Sequence, residues 1–225
     1  MELVIVRGGG DIASGIIHRL YRAGLKVVVL EIEKPLTIRR KVSFSEAVYD
    51  GEIEIEGVRA ILAKDLDDVK DILGKGFIPV YIDHNGDIIK ELKPLAVVDA
   101  ILAKVNLGTN KEMAPITIGV GPGFEAGVDV DLVVETQRGH NLGKAENTGI
   151  PGDVMGYREE RVLRATGDGI VKVFHNIGDK VEAGDIICQI GDNQVVAGIS
   201  GILRGIIKEG LYVYKGLKIG DIDPR

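Results

Sequence analysis

Tryptophan is absent and cysteine occurs once, at Cys188. One thiol excludes a disulfide framework or a cysteine metal cluster within the chain, and it fits a reducing cytoplasm. Its neighbours Ile187 and Ile190 mark it as a core residue. Histidine is scarce, and His18, His84, His140 and His175 are scattered without ligand spacing, so no metal site is expected. No apolar run reaches membrane-spanning length. The first six residues lack the basic flank and cleavage site of a secretory signal. Nucleophile elbow, HExxH and P-loop lysine are all missing, so no catalytic residue is assigned. An excess of basic residues is missing too. With 28 Lys and Arg against 34 Asp and Glu, the net charge of -6 disfavours nucleic acid as a partner. What remains is a cytoplasmic protein with small-molecule or protein partners, and none of these absences bars a homo-oligomer.

Glycine, in contrast, is abundant at 31 of 225 residues, and apolar residues make up 45%, enough for a sizeable core. Residues 3–6 form a short apolar run that predicts a buried strand. A glycine turn follows, then Ile12, Ile16, Leu20 and Ala23 at helical spacing, with Gly24 placed as a C-terminal cap. Residues 26–30 read as a second buried strand ending at Glu31, which completes a parallel βαβ unit. Further strands are predicted at 78–82, 95–98, 116–120 and 132–134, with a helix over 65–73. Residues 88–104 read as either strand or helix. Ser43 and Glu46 have capping-box spacing for a short helix through Tyr49. The aperiodic stretch 139–156 reads as a long functional loop and linker.

From Arg161 onward the chain changes to short strands punctuated by glycine, and it repeats. Gly169, Gly178, Val181, Gly184 and Ile187 recur as Gly201, Gly210, Val213, Gly216 and Ile219, an offset of 32 residues. Two hairpin-like halves packed about a pseudo-twofold axis are expected. The fold class is therefore α/β: a Rossmann-like, mostly parallel sheet domain over residues 1–156, then a small all-β domain with internal duplication over 157–225.

The candidate ligand residues cluster at strand ends. Gly8, Gly9, Gly10, Asp11, Ile12 and Ala13 fit G-x-G-x-x-G/A, with strand before, helix after and Glu31 at the next strand tip. In that setting Gly8 permits the tight turn, Gly10 lets backbone approach a pyrophosphate, and Glu31 accepts from a ribose. The bland alternative is a glycine-rich turn with no ligand. Arg39 and Arg40 read either as a phosphate clamp or as a solvated charge run. Asp99 follows a strand and joins the same crevice. Asp83, His84, Asn85 and Gly86 also follow one, although turn formation alone explains their composition. Gly121 and Gly123 offer backbone amides to an anion. Arg138 suits a phosphate or carboxylate, and His140 a proton transfer or a phosphate.

Several of these strings resemble the accessory family of selenium-dependent molybdenum hydroxylases, the YqeB family. They are Val6-Arg7-Gly8-Gly9-Gly10-Asp11-Ile12-Ala13-Ser14-Gly15, the stretch from Arg39 to Tyr49, Val98-Asp99-Ala100-Ile101-Leu102-Ala103-Lys104, Gly121-Pro122-Gly123-Phe124, Glu135-Thr136-Gln137-Arg138-Gly139-His140-Asn141, and the closing run from Gly216. The resemblance implies a maturation role for a molybdenum hydroxylase or its maturation machinery. It implies a first domain similar to the Rossmann domain of XdhC-type proteins, with a nucleotide-type small molecule such as a molybdopterin dinucleotide bound there. The same fingerprint in an NAD(P)-dependent oxidoreductase would bind NAD(P), and a non-catalytic module docking a partner enzyme is the third reading. The C-terminal repeat resembles biotinyl- and lipoyl-type barrel-sandwich domains. Those carry a modified lysine at a hairpin tip, where this chain has Gly191-Asp192-Asn193-Gln194 and no lysine between Lys180 and Lys208. That argues against a swinging-arm carrier.

Overall fold

A computed structural model describes residues 2–150 and 159–224. The chain divides into two units, Met1–Pro35 with Val42–Gly156, and Leu36–Lys41 with Tyr157–Arg225. The boundary expected at 156/157 falls outside the described residues. Residues 36–41, expected in the first domain, belong to the second unit.

In the first unit β1 (Leu3–Arg7) runs through the glycine turn into α1 (Asp11–Arg22) and β2 (Lys26–Glu31). After a short 3-10 turn (Phe44–Glu46) come α2 (Ala47–Asp50), β3 (Glu52–Ile55), β4 (Val58–Ala63), α3 (Leu66–Gly74), β5 (Ile78–Ile82), α4 (Ile89–Leu92), β6 (Ala96–Asp99), β7 (Ile116–Val120), β8 (Leu132–Val134) and β9 (Ala145–Glu146). The nine strands form one sheet in the order β3-β4-β5-β2-β1-β6-β7-β8-β9. Strands β4 to β8 in that order run parallel, and the edge strands β3 and β9 pair antiparallel. The chain leaves β1 toward β2 on one side and later returns to β6 on the other, so the topological switch point lies between β1 and β6.

Both faces of this sheet are covered, which is why its central strands read as unbroken apolar runs. Successive side chains point to opposite faces. Val4, Val6, Val27 and Val29 pack with Ala13 and Ile17 of α1 and with Phe44. Ile5, Val28, Leu30 and Val97 pack with Val69 and Ile72 of α3 and with Ile88 and Ile89. Asp65 caps α3 by accepting from the Asp68 backbone at 2.8 Å. The capping box expected at Ser43 is not formed; Ser43 makes no side-chain capping bond to the helical turn.

In the second unit, β10 (Val162–Arg164), β17 (Lys218–Asp223), β15 (Gly201–Ile206) and β12 (Lys180–Val181) form one antiparallel sheet. A second sheet joins β14 (Asn193–Val196), β13 (Ile186–Ile190), β11 (Gly169–Val173) and β16 (Tyr212–Val213). A step of 32 residues carries β10, β11, β12 and β13 onto β14, β15, β16 and β17, and exchanging these counterparts turns one sheet order into the other. Val171, Ile187, Leu203 and Ile219 are fully buried in this unit, as is Cys188. Burial pushes the Cys188 thiol up to about 11, so it stays protonated and unreactive. The turn at Gly191 and Asp192 joins β13 to β14.

Candidate functional site

The glycine turn after β1 is held tightly by its own chain. Ser45 donates its backbone N–H to the Gly9 carbonyl at 2.9 Å. The Ser14 hydroxyl donates to the same carbonyl at 3.1 Å and accepts from the Phe44 N–H at 2.8 Å. A Cβ on Gly9 would come within 2.8 Å of the Ser45 nitrogen. Gly8 has φ +91, and a Cβ there would lie 2.9 Å from the Ile101 Cα, just past β6. Gly8 and Gly9 are thus required by the fold itself, whatever else the turn does. Gly8→Ala is expected to destabilise the first unit by roughly 1–3 kcal/mol, because it meets both a left-handed backbone and a backbone contact. A thermal melt of the variant checks this.

Gly10 and Asp11 open α1, with Asp11 in the first turn, where a carboxylate favours the helix dipole. Beside them, over the C-terminal ends of β1, β2 and β5, lies a cleft of about 140 Å³. Leu30, Ile32, Ile101 and Leu107 give it apolar walls, with Gly8, Glu31 and His84 at its rim. Sites that enclose a whole drug-sized ligand are roughly 300–1,000 Å³, so this cleft has room for only part of one. Two wider hollows, about 270 and 260 Å³, flank the turn at residues 83–88 but do not meet the glycine turn.

Among the described residues, Glu31 is the carboxylate that both lines this cleft and bonds to the glycine turn. Its Oε1 accepts from the Gly9 N–H and its Oε2 from the Ile32 N–H, both at 3.3 Å. Burial pushes its carboxyl up to about 7, against these two backbone bonds, which pull it down. A group that is poised at neutral pH, half-buried and in contact with a strand-end turn is a candidate ligand contact.

Asp99 turns out to be committed elsewhere. It is 1% exposed, and its Oδ2 accepts from Thr109 Oγ1 at 2.6 Å and lies 3.7 Å from the Arg7 guanidinium. Arg7, also 1% exposed, donates to Thr109 Oγ1, to the His84 carbonyl at 3.0 Å and to the Leu107 carbonyl at 3.4 Å. A buried carboxylate beside a buried guanidinium is a structural pair that ties three loops together. Asp99 is expected at the ligand; the structure sets it against Arg7 and Thr109, which no sequence motif singles out. A charged residue closing a buried strand, as Arg7 does, was the available signal. Asp83 is likewise structural, accepting from the Gly86 and Ile88 N–H groups at 2.9 Å each.

The remaining candidates spread out. Arg39 pairs with Asp221 at 3.3 Å and Arg40 donates to the Ile206 carbonyl at 3.0 Å, so both are engaged within the second unit. Gly121 and Gly123 follow β7 and have φ of +81 and +110. Arg138 and His140 are exposed in the loop joining β8 to β9. That loop starts three strands from β1, about 14 Å at the usual ~4.8 Å strand spacing.

Residues 160–218 match the family model described as "RND related, barrel-sandwich hybrid domain", so the second unit carries such a domain. The chain is 51% identical over 231 aligned residues to the Escherichia coli (strain K12) protein described as "Uncharacterized protein YqeB". That match covers 100% of this chain and 43% of the relative, so the chain spans less than half the relative's length. Among solved structures, an aspartoacylase family protein from Mesorhizobium loti is similar at 14% identity over 93% of this chain and 60% of its own, with a TM-score of 0.30. The ectoine utilization protein EutE (DoeB) from Ruegeria pomeroyi is similar at 9% identity over 97% and 85%, with a TM-score of 0.29. Overlaps this low carry no argument about fold or chemistry.

Proposed function

We propose that this chain is a YqeB-type accessory protein for a molybdenum hydroxylase, and that its first unit holds the nucleoside end of a nucleotide-bearing cofactor beside Glu31. One observation carries the binding reading: Glu31 stands at the end of β2, on the rim of an apolar cleft, bonded to the turn that follows β1. In parallel sheets an acidic residue at that position accepts from ribose hydroxyls. The apolar walls suit a flat base. On this reading the first unit is a Rossmann-like domain of the XdhC type, and the second is an internal duplication of a hairpin-like half.

The maturation role rests on the family resemblance carried by the strings around Gly8, Asp99 and Arg138; the relative at 51% identity is described only as uncharacterized. A molybdopterin dinucleotide fits in part. The cleft accepts its nucleoside, while the Gly9 N–H that would meet phosphate is engaged by Glu31. On this reading Arg138 and His140 meet a more distant part of an extended ligand. Selenium chemistry and the hydroxylase partner follow from the family resemblance.

The test is mass spectrometry of small molecules released from the purified chain, with titrations of NAD, NADP and pterin dinucleotides. Tight binding of a pterin or cytidine dinucleotide supports the maturation reading. Binding of NAD or NADP alone replaces it with an oxidoreductase. No nucleotide, together with a stable hydroxylase complex, leaves a docking module. Arg138→Ala is expected to leave nucleoside affinity unchanged and to weaken a dinucleotide by roughly 1.5–3 kcal/mol, the range for a hydrogen bond to a charged group. Calorimetry with the two ligands separates these outcomes.

A further inference from the structure

The crevice at the switch point between β1 and β6, where open parallel sheets bind ligands, is filled by the protein's own chain. Residues 100–107, leaving β6, lie against three glycine positions. A Cβ on Gly8 would meet Ile101 at 2.9 Å, one on Gly121 would meet the Leu102 side chain at 2.8 Å, and one on Gly123 would meet the Val105 nitrogen at 2.7 Å. The segment is therefore seated against both glycine turns that the sequence offers to an anion. Its seat is not comfortable. Leu102 and Lys104 have φ of +60 and +64, left-handed conformations that side chains other than Gly, Asn and Asp rarely adopt. Its middle is exposed, with Val105 at 58%.

Its ends are pinned close to the glycine turn. Asp99 accepts from the Ile101 N–H at 3.1 Å, and Arg7 donates to the Leu107 carbonyl at 3.4 Å. Arg7 also accepts the Ala100 N–H through its backbone carbonyl at 2.9 Å and directly precedes Gly8. The strap is thus tied at both ends to the pair beside the turn, while its strained middle covers the crevice.

We infer that residues 100–107 form a displaceable strap over a diphosphate subsite, and that a nucleoside diphosphate engages the glycine turn only when the strap's middle withdraws. The inference rests on the nucleoside-site reading and extends it. A nucleoside alone enters the cleft beside Glu31 with the strap seated. A diphosphate needs the space against Gly8 that Ile101 occupies. Binding of the diphosphate therefore carries the cost of unseating the strap, and the strain at Leu102 and Lys104 lowers that cost.

The experiment uses the full chain and two probe pairs, adenosine with ADP and cytidine with CDP. Hydrogen exchange across residues 100–107 is expected to speed up when the diphosphate binds and to stay unchanged with the nucleoside. The variant Lys104→Gly relieves left-handed strain at an exposed position and keeps the Leu102 packing, so it favours the seated strap and is expected to weaken diphosphate binding, on the order of fivefold, with nucleoside affinity unchanged. Unchanged or slower exchange in the diphosphate complex overturns the strap, as does equal diphosphate affinity in variant and wild type. If neither member of either pair binds the wild-type chain, the nucleoside site itself falls and the strap with it.

Discussion

Arg7→Met is expected to cost the first unit about 3–5 kcal/mol, because it leaves a buried carboxylate without its cation. Asp99 would keep Thr109 and the Ile101 N–H but lose the guanidinium 3.7 Å away. The loops that Arg7 gathers through the His84 and Leu107 carbonyls would lose their common donor. Urea unfolding followed by circular dichroism reads this as a midpoint lowered by roughly 1–3 M, taking the slope of a domain this size. The double variant Arg7→Met/Asp99→Leu is expected to recover much of the loss, since no charge then remains buried. A single variant that unfolds at the wild-type midpoint would show the pair to be dispensable.

The second large effect is on binding. Glu31→Gln is expected to weaken nucleoside affinity by roughly 1.5–3 kcal/mol, about 10- to 150-fold. The wild-type protein should show a pH profile that the variant lacks. Burial holds the Glu31 carboxyl up at about 7 in the free protein, and ribose hydroxyls bond best to its ionised form. Affinity should therefore fall as pH drops below about 7, with a proton released on binding near neutrality. The free protein's stability runs the other way. A carboxyl raised from 4.5 to about 7 binds its proton more tightly when folded. Its contribution is full below about 4.5 and is lost as pH rises through about 7. Titrations at pH 6 and 8 that gave equal affinity would remove Glu31 from the site.

The βαβ opening and the strands β5 to β8 were legible because each is an apolar run closed by a turn residue, and both sheet faces demand it. The strand β4 was missed, since Val58-Arg59-Ala60-Ile61-Leu62-Ala63 has no clean period. The hairpin is signalled by the alternation of acid and isoleucine from Glu52 to Glu56 and by Gly57, which sits with Glu56 at positive φ. The uncertainty over residues 88–104 had a physical source: they hold both a short helix, Ile89–Leu92, and the strand Ala96–Asp99. Of the candidate site, the glycine turn and Glu31 come together as expected from local spacing. Asp99 lies beside the turn but is taken up by Thr109 and Arg7, and Arg39 and Arg40 have partners within the second unit. No local pattern reveals that Arg39 meets Asp221 across 182 residues.

That last pairing has a consequence for synthesis. Residues 36–41 are built into the second unit: Lys41 donates to the Ile177 carbonyl at 2.6 Å, and a Cβ on Gly205 would meet the Ile38 carbonyl at 2.8 Å. On the ribosome these six residues emerge roughly 10–40 s before Asp221, at about 5–20 residues per second. The β unit is therefore not a cassette that a gene could exchange whole. A fragment started at Glu159 would be translated without the early-made piece that fits against β15 and β17. A peptide of residues 36–41, added separately, is what such a fragment would have to capture to complete itself.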